Sequence, residues 1–318
     1  MQALQVTLFS DGRPGHEKQS RGVVNALKAY VDVELNKVEV PDRQFLHDLW
    51  SHLSLLFPLV NATGTVGDQR SDIFIGTGSS THIPMLSAGK RVQAKIVTCM
   101  SPASYLGSKF DLCFIPLHDQ VRPADNIFFT VGPPNISNGA AGQDPSRSLI
   151  LIGGVDEKSH HWDEQGLVSD LADLIGSTEQ TSWLIASSPR TPDSTEELVK
   201  HQLAVLDQVN FVPFSETESG WVENMYRSHG SVWITADSIS MVYEALSAGC
   251  RVGVLPVRWR KKNNKFQRSL EYLLDNKMIV TNTLFLQGET QWLKPETLNE
   301  ADRCAREILR RWWPKNLP

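Results

Sequence analysis

Short apolar runs alternate along this chain with stretches whose apolar residues recur at helical spacing, and the rhythm occurs twice. Ala3–Phe9 is a continuous, partly β-branched run, the pattern of a strand buried on both faces of a parallel sheet. Val23, Val24, Ala26, Leu27 and Tyr30 then fall on one face of a helix. Val31–Val40 reads as a strand and Arg43–Phe57 as a helix. Asp72–Gly76, Lys95–Cys99, Asp111–Ile115 and Ile127–Val131 read as further short strands. Pro133–Arg147 is small, polar and turn-rich, and reads as a domain linker. Beyond it Ser148–Ile152, Ser182–Ala186, Asn210–Phe214, Val232–Thr235 and Arg251–Leu255 predict strands. Helices are expected to begin near Trp162, Asp193, Glu218, Ser238 and Asn264. Strands separated by helices imply parallel sheets with right-handed crossovers. The expected architecture is α/β: two Rossmann-like, doubly wound domains facing across a cleft, residues 1–134 and 148–318. The closing helix around Ile308–Trp313 is expected to pack back on the first domain.

Composition narrows the function classes. With 318 residues the chain is long enough for two cores. Its net charge of −5 offers no electrostatic case for nucleic-acid binding. Cys99, Cys113, Cys250 and Cys304 are scattered without a CxxC pair, which speaks against a structural zinc or a disulfide framework and for a reducing compartment. The opening run is strand-length without a basic flank, so a cytoplasmic protein is expected, with contact to the inner face of a membrane left open. Two segments bear on that contact: Leu46–Val60 (Trp50, Leu53, Leu55, Leu56, Phe57, Leu59) and Ile308–Trp313. Each reads as core packing or as an interfacial anchor.

Chemistry-bearing residues gather where predicted strands end. Asp11-Gly12-Arg13-Pro14-Gly15-His16 turns from the first strand into a helix, with Gln19 one turn on. A helix start presents unpaired N–H groups and a positive dipole end, and a histidine there is placed to act as a base. His16 and Asp11 are therefore the candidate catalytic pair. Gly76-Thr77-Gly78-Ser79-Ser80-Thr81-His82 repeats the theme. Arg13, Gly15, Gln19, Thr77, Ser79, Ser80 and His82 form an expected acceptor side. In the second half Gly153 and Gly154 follow a strand, either as a plain turn or to let the backbone approach a phosphate. Ser188 and Arg190 end the next strand, and a guanidinium there suits a diphosphate. Asp237, Ser238 and Met241 surround a helix start fit to hold a phosphate, and Glu244 within that helix could accept from ribose hydroxyls. Arg258, Arg260, Lys261, Lys262 and Lys265 form an acid-free basic run, read as a solvated loop or as contact with anionic phosphate of a donor or a lipid-linked acceptor.

The strings SDGRPGHEKQS (Ser10–Ser20), GTGSSTH (Gly76–His82), SSPRTP (Ser187–Pro192) and TADSISMVYEAL (Thr235–Leu246) resemble the ELM-type mitochondrial fission family across most of the chain. That family is in turn similar to the GT-B glycosyltransferases, with the lipid-linked GlcNAc transferase of peptidoglycan synthesis as the analogy. The resemblance implies that His16 matches the acceptor-facing loop histidine. Glu244 matches the ribose acceptor, and Ser238 and Met241 match donor-loop positions. Arg13 and Pro14 depart from the small residues usual in that loop, and no complete donor signature is present. The implied activity is metal-independent sugar transfer from a nucleotide-sugar donor to an envelope glycan or lipid-linked acceptor, with no cofactor. The competing expectations are a nucleotide-sugar epimerase or hydrolase, and a non-enzymatic, membrane-recruited adaptor.

Overall fold

The computed structural model describes residues 3–40, 70–139, 142–178, 180–289 and 298–318. The expected helix Arg43–Phe57 and the apolar segment Leu46–Val60 lie outside these residues. The chain divides into two compact units, Met1–Ile136 with Asn299–Pro318, and Ser137–Leu298.

The first unit is built on β1 (Leu4–Ser10), β2 (Val33–Glu39), β3 (Ile73–Gly76), β4 (Lys95–Thr98), β5 (Leu112–Pro116) and β6 (Ile127–Thr130). The sheet is parallel throughout, in the order β2-β1-β3-β4-β5-β6. β1 is buried at every position but Gln5, because helices cover both faces. On one face lie α1 (Pro14–Leu27) and the closing helix of the chain, Glu300–Trp312. Val23, Val24 and Leu27 meet Cys304, Ala305, Ile308 and Leu309 there, over Leu4, Val6 and Leu8. Full burial of each large aliphatic side chain stabilises by about 1.5–3 kcal/mol. Tyr30 donates to Asp302 at 2.5 Å, a polar tie at the same seam. On the other face α2 (Ser79–Val92) sets Met85 and Leu86 against Phe9, Phe74 and Ile96. The last twenty residues of the chain thus belong to the first unit and not to the second.

The second unit holds β7 (Asp144–Leu151), β9 (Ser182–Ala186), β10 (Val209–Val212), β11 (His229–Thr235), β12 (Arg251–Leu255) and β14 (Ile279–Thr281). The order is β10-β9-β7-β11-β12-β14, again all parallel. Counted within the unit this is 3-2-1-4-5-6, the doubly wound order. The helices are α3 (Glu164–Gly176), α4 (Asp193–Gln202), α5 (Trp221–Ser228), α6 (Ile239–Ser247), α7 (Lys265–Asp275) and α8 (Asn282–Leu286), with α9 being Glu300–Trp312. One face of the sheet buries Leu167, Leu171, Leu174 and Val199 from α3 and α4 against Ile150, Trp183, Ile185 and Trp233. β7 begins inside the stretch expected as linker. Its first residues are exposed and polar, and they pair with β11 across a register shift between His229 and Ser231, so no apolar signal marks them. The elements without a sequence expectation include β14, the short helix α8, and an antiparallel ribbon of β8 (His160–His161) with β13 (Arg258–Trp259).

Candidate functional site

In an open parallel sheet ligands gather beyond the carboxyl ends of the strands where the strand order reverses. In the first unit that place lies between β1 and β3, and the two loops singled out from sequence leave those strands. Arg13 takes the N-cap position of α1 and Pro14 the first turn, where its missing N–H costs nothing. This delivers His16 next to Asp11, with Nδ1 2.8 Å from Asp11 Oδ2. The Asp11 carboxylate also accepts from the Arg13 N–H at 3.2 Å and from Ser80 Oγ at 3.3 Å. The Asp11 side chain is 6% exposed and that of His16 28%. Burial pushes the Asp11 carboxyl upward, but hydrogen bonds from His16, Arg13 and Ser80 and the attraction of His16 together hold it below the ordinary carboxylate value. A carboxylate on Nδ1 selects the tautomer protonated there and leaves Nε2 with its lone pair, the arrangement of a general base.

Gly78 makes this pair fit. Its φ is +103°, and an added Cβ would stand 2.3 Å from Asp11 Oδ2 and 2.7 Å from His16 Nδ1. The rest of the expected acceptor side divides. Gly15 lies open on the turn, and Arg13 is exposed with Nε 4.0 Å from Asp11. Ser79 opens α2, and Gln19 is half-buried on α1. Thr77 and His82 belong instead to the interior. Thr77 is buried against Ser20 at 2.8 Å. His82 is 1% exposed, bonded to Thr98 at 3.2 Å and packed edge-on to Phe110. Four residues into a helix its side chain has turned toward the sheet, which the string GTGSSTH does not reveal. Glu17 is held by Lys37 at 2.9 Å, Arg21 at 2.6 Å and Ser10 at 3.1 Å. Lys37 above all lowers its carboxyl to about 2, against the cost of partial burial.

In the second unit the order reverses between β7 and β11, and the two loops there are bonded together. Gly153 N–H donates to Thr235 Oγ1 at 2.7 Å and Gly154 N–H to Asp237 Oδ2 at 3.2 Å. A Cβ on Gly153 would strike the Asp237 carboxylate at 2.2 Å, and one on Gly154 the Arg190 carbonyl at 2.0 Å. Both glycines therefore make room for their own chain, and their N–H groups are bonded within it, as in the plain-turn reading. Ser188 Oγ donates to the Gly153 carbonyl at 2.8 Å. Arg190 reaches back with Nη2 to Asp237 Oδ2 at 2.7 Å and Ser238 Oγ at 3.3 Å, and with Nη1 to the Gly154 carbonyl at 3.3 Å. Its charge is thus paired, although 43% of the side chain is exposed. Ser238 takes the N-cap position of α6, where its carbonyl receives the Met241 and Val242 N–H groups. The N–H groups of Ile239 and Ser240 have no acceptor among the described residues, so this helix start can still receive an anion. Met241 follows on the first turn. Glu244 lies in the buried run Val242–Ser247 at 6% exposure.

His160 was not anticipated. It is 2% exposed, with Nδ1 2.6 Å from Ser159 Oγ and Nε2 3.0 Å from the Gly154 carbonyl. Trp162 and Trp259 meet its ring edge-on. The signal available was the alternation in Ser159-His160-His161-Trp162 opposite Arg258-Trp259-Arg260, too short to stand out as paired strands. A separate cavity of about 430 Å³ lies at the amino edge of this sheet, lined by Ser148, Trp183, Ser231, Trp233 and Arg251 among others, and none of the expected site residues border it. Among the described residues no cluster of three or more metal-ligating side chains occurs, and no helix is long and apolar enough to cross a membrane.

Two six-stranded parallel sheets with chemistry at both reversal points define a GT-B-like, Rossmann-type protein. The chain belongs to the family described as mitochondrial fission ELM1, whose model matches residues 14–312. No curated protein sequence matches it. Its fold is similar to S. aureus MnaA in complex with UDP, with TM-score 0.57 and 12% identity over 99% of this chain and 98% of that one. It is similar also to a UDP-GlcNAc 2-epimerase from Neisseria meningitidis bound to UDP-GlcNAc, with TM-score 0.53 and 12% identity over 98% and 99%. A calicheamicin glycosyltransferase follows at TM-score 0.49 and 12% identity over 99% and 96%.

Proposed function

We propose that this protein is a nucleotide-sugar enzyme of the glycosyltransferase kind, transferring sugar to a hydroxyl acceptor on a glycan or lipid-linked glycan. The observation that carries the reading is the His16–Asp11 pair, 2.8 Å apart at the reversal point of the first unit's sheet. In this reading His16 Nε2 takes the acceptor proton while the Asp11 carboxylate steadies the imidazolium that forms. The donor's diphosphate meets the start of α6 at Ser238–Met241, and Arg190, set by Asp237, offers its exposed edge to the departing phosphate. Glu244 is the candidate for the ribose hydroxyls. Arg13, Gly15, Gln19, Ser79 and Ser80 surround the acceptor.

A second reading, a nucleotide-sugar epimerase or hydrolase, is favoured by the similarity to a UDP-GlcNAc 2-epimerase. One experiment separates the two. Thermal shifts with UDP-, GDP-, ADP- and CMP-sugars identify the donor, with Glu244→Gln compared through its ligand-induced shift and not its absolute melting point. The identified donor is then incubated with enzyme alone. An epimerase or hydrolase converts it without an acceptor. A transferase leaves it intact until acceptor is added, and His16→Ala stops that transfer. If no activated sugar shifts the melting point, both enzymatic readings fall and a binding or adaptor role takes their place.

A further inference from the structure

The β8–β13 ribbon has two unlike faces. Successive residues of a strand point to opposite sides. His160 and Trp259 are register partners and turn inward, where Trp259 stacks on Phe266 at 5.9 Å and 14°. His161 and Arg258 are the next pair, and with Arg260 they turn outward and are exposed. Lys261 and Lys262 follow in the chain and are exposed, and Lys265, exposed as well, opens α7 with its ammonium over the Phe266 ring at 5.2 Å. No Asp or Glu among the described residues pairs with any of these five cations. Lys265 also occupies the first position of α7, beside a positive helix end and with no acid in the first turn, where a cation is disfavoured. The field is felt locally: Arg260, then partial burial, then Arg258 hold the His161 imidazole below its ordinary value.

Five like charges within eight residues repel one another, in a chain whose net charge is −5. Arg258 and Arg260 share the outer face of a ribbon whose inner face is pinned by aromatic packing, and the three lysines that follow are all exposed. An exposed, acid-free concentration of cations matches a multivalent anionic surface, and the acidic remainder of the chain disfavours a polyanion that would wrap around it.

We infer that the outer face of the β8–β13 ribbon, with Lys261, Lys262 and Lys265, docks the second unit on a lipid surface bearing anionic phosphate headgroups. This stands apart from the nucleotide-sugar reading and is tested without turnover. The full chain is sedimented with phosphatidylcholine vesicles, with and without phosphatidylglycerol, at low and high salt. Wild type is expected to pellet only with the anionic vesicles and to be released by salt. At roughly fivefold per cation, the combined change Arg258→Gln, Arg260→Gln, Lys261→Gln and Lys262→Gln should weaken partitioning by several hundred-fold. The charge-matched control Lys28→Gln, Arg91→Gln, Lys109→Gln and Arg122→Gln alters exposed cations of the first unit and should leave most of the binding. Circular dichroism and melting confirm that both variants fold. Wild type that ignores anionic vesicles at low salt, or a ribbon variant that binds as wild type does, overturns the inference. So does ribbon-dependent binding of single-stranded RNA by a chain that ignores vesicles.

Discussion

Arg190→Ala removes one partner of the contact that joins the loops of the second unit. The Asp237 side chain left behind is 1% exposed. Its Oδ1 already lacks a hydrogen-bond partner among the described residues, so Oδ2 carries all the compensation. That compensation is Arg190 at 2.7 Å, the Gly154 N–H at 3.2 Å and Ser238 Oγ at 3.3 Å. Deleting one member of a fully buried pair costs about 3–5 kcal/mol. Here 43% of the arginine side chain is exposed, so water enters the gap and the cost falls to about 2 kcal/mol. For a domain of this size that lowers the melting temperature by about 4–8 °C. Asp237→Asn leaves no buried charge and frees a half-exposed arginine, so it should cost about half as much. The two changes together should cost less than their sum, because the double variant buries no lone carboxylate. The assay is calorimetric melting of the four proteins at neutral pH. A single Arg190→Ala variant that melts with wild type, or strictly additive losses, would refute the claim that Arg190 is the counter-charge of a buried carboxylate. Arg190→Lys keeps the charge without the fork and should fall between wild type and alanine.

Gly78→Ala combines a backbone conformation reserved for glycine with a Cβ 2.3 Å from Asp11 Oδ2, so it should destabilise by about 1–3 kcal/mol and separate Asp11 from His16. The His16 ring resonances should move in NMR spectra, and unchanged resonances would contradict the role given to Gly78. The Glu17 carboxyl is lowered from 4.5 to about 2, chiefly by Lys37, and therefore stabilises the fold fully above pH 4.5 and progressively less as pH falls toward about 2. Lys37→Met should move the acid-unfolding midpoint upward in a circular-dichroism titration, and superimposable curves below pH 4.5 would exclude that linkage.

The central strands were legible because they are buried on both faces, and apolar runs such as Leu4–Ser10 and Leu112–Pro116 are too short for a helix and too apolar for a surface loop. The positions of the candidate loops were legible for a related reason. A glycine-rich turn between a buried strand and a helix must emerge at the carboxyl edge of the sheet, so Asp11, His16, Arg190 and Asp237 were placed by local pattern alone. Elements with polar composition or little length escaped. The first residues of β7 are exposed, β14 has three residues, and the β8–β13 ribbon has two on each strand.

Strand pairing and direction of side chains belong to the tertiary structure. Only the order of each sheet reveals that the loops after β1 and β3, and those after β7 and β11, share a reversal point, since those loops are far apart in the chain. Only packing turns His82 inward while His16, also at a helix start, meets a carboxylate at 2.8 Å. The same holds for the glycines after β7: their type was readable, but what fills the space above them is an aspartate from β11's loop and an arginine carbonyl from β9's. Amino-acid pattern determined which segments must be buried and where the turns must lie, because burial and backbone freedom are local costs. Which charge meets which partner was decided by long-range contacts, because an ion pair depends on a distance that no stretch of sequence contains.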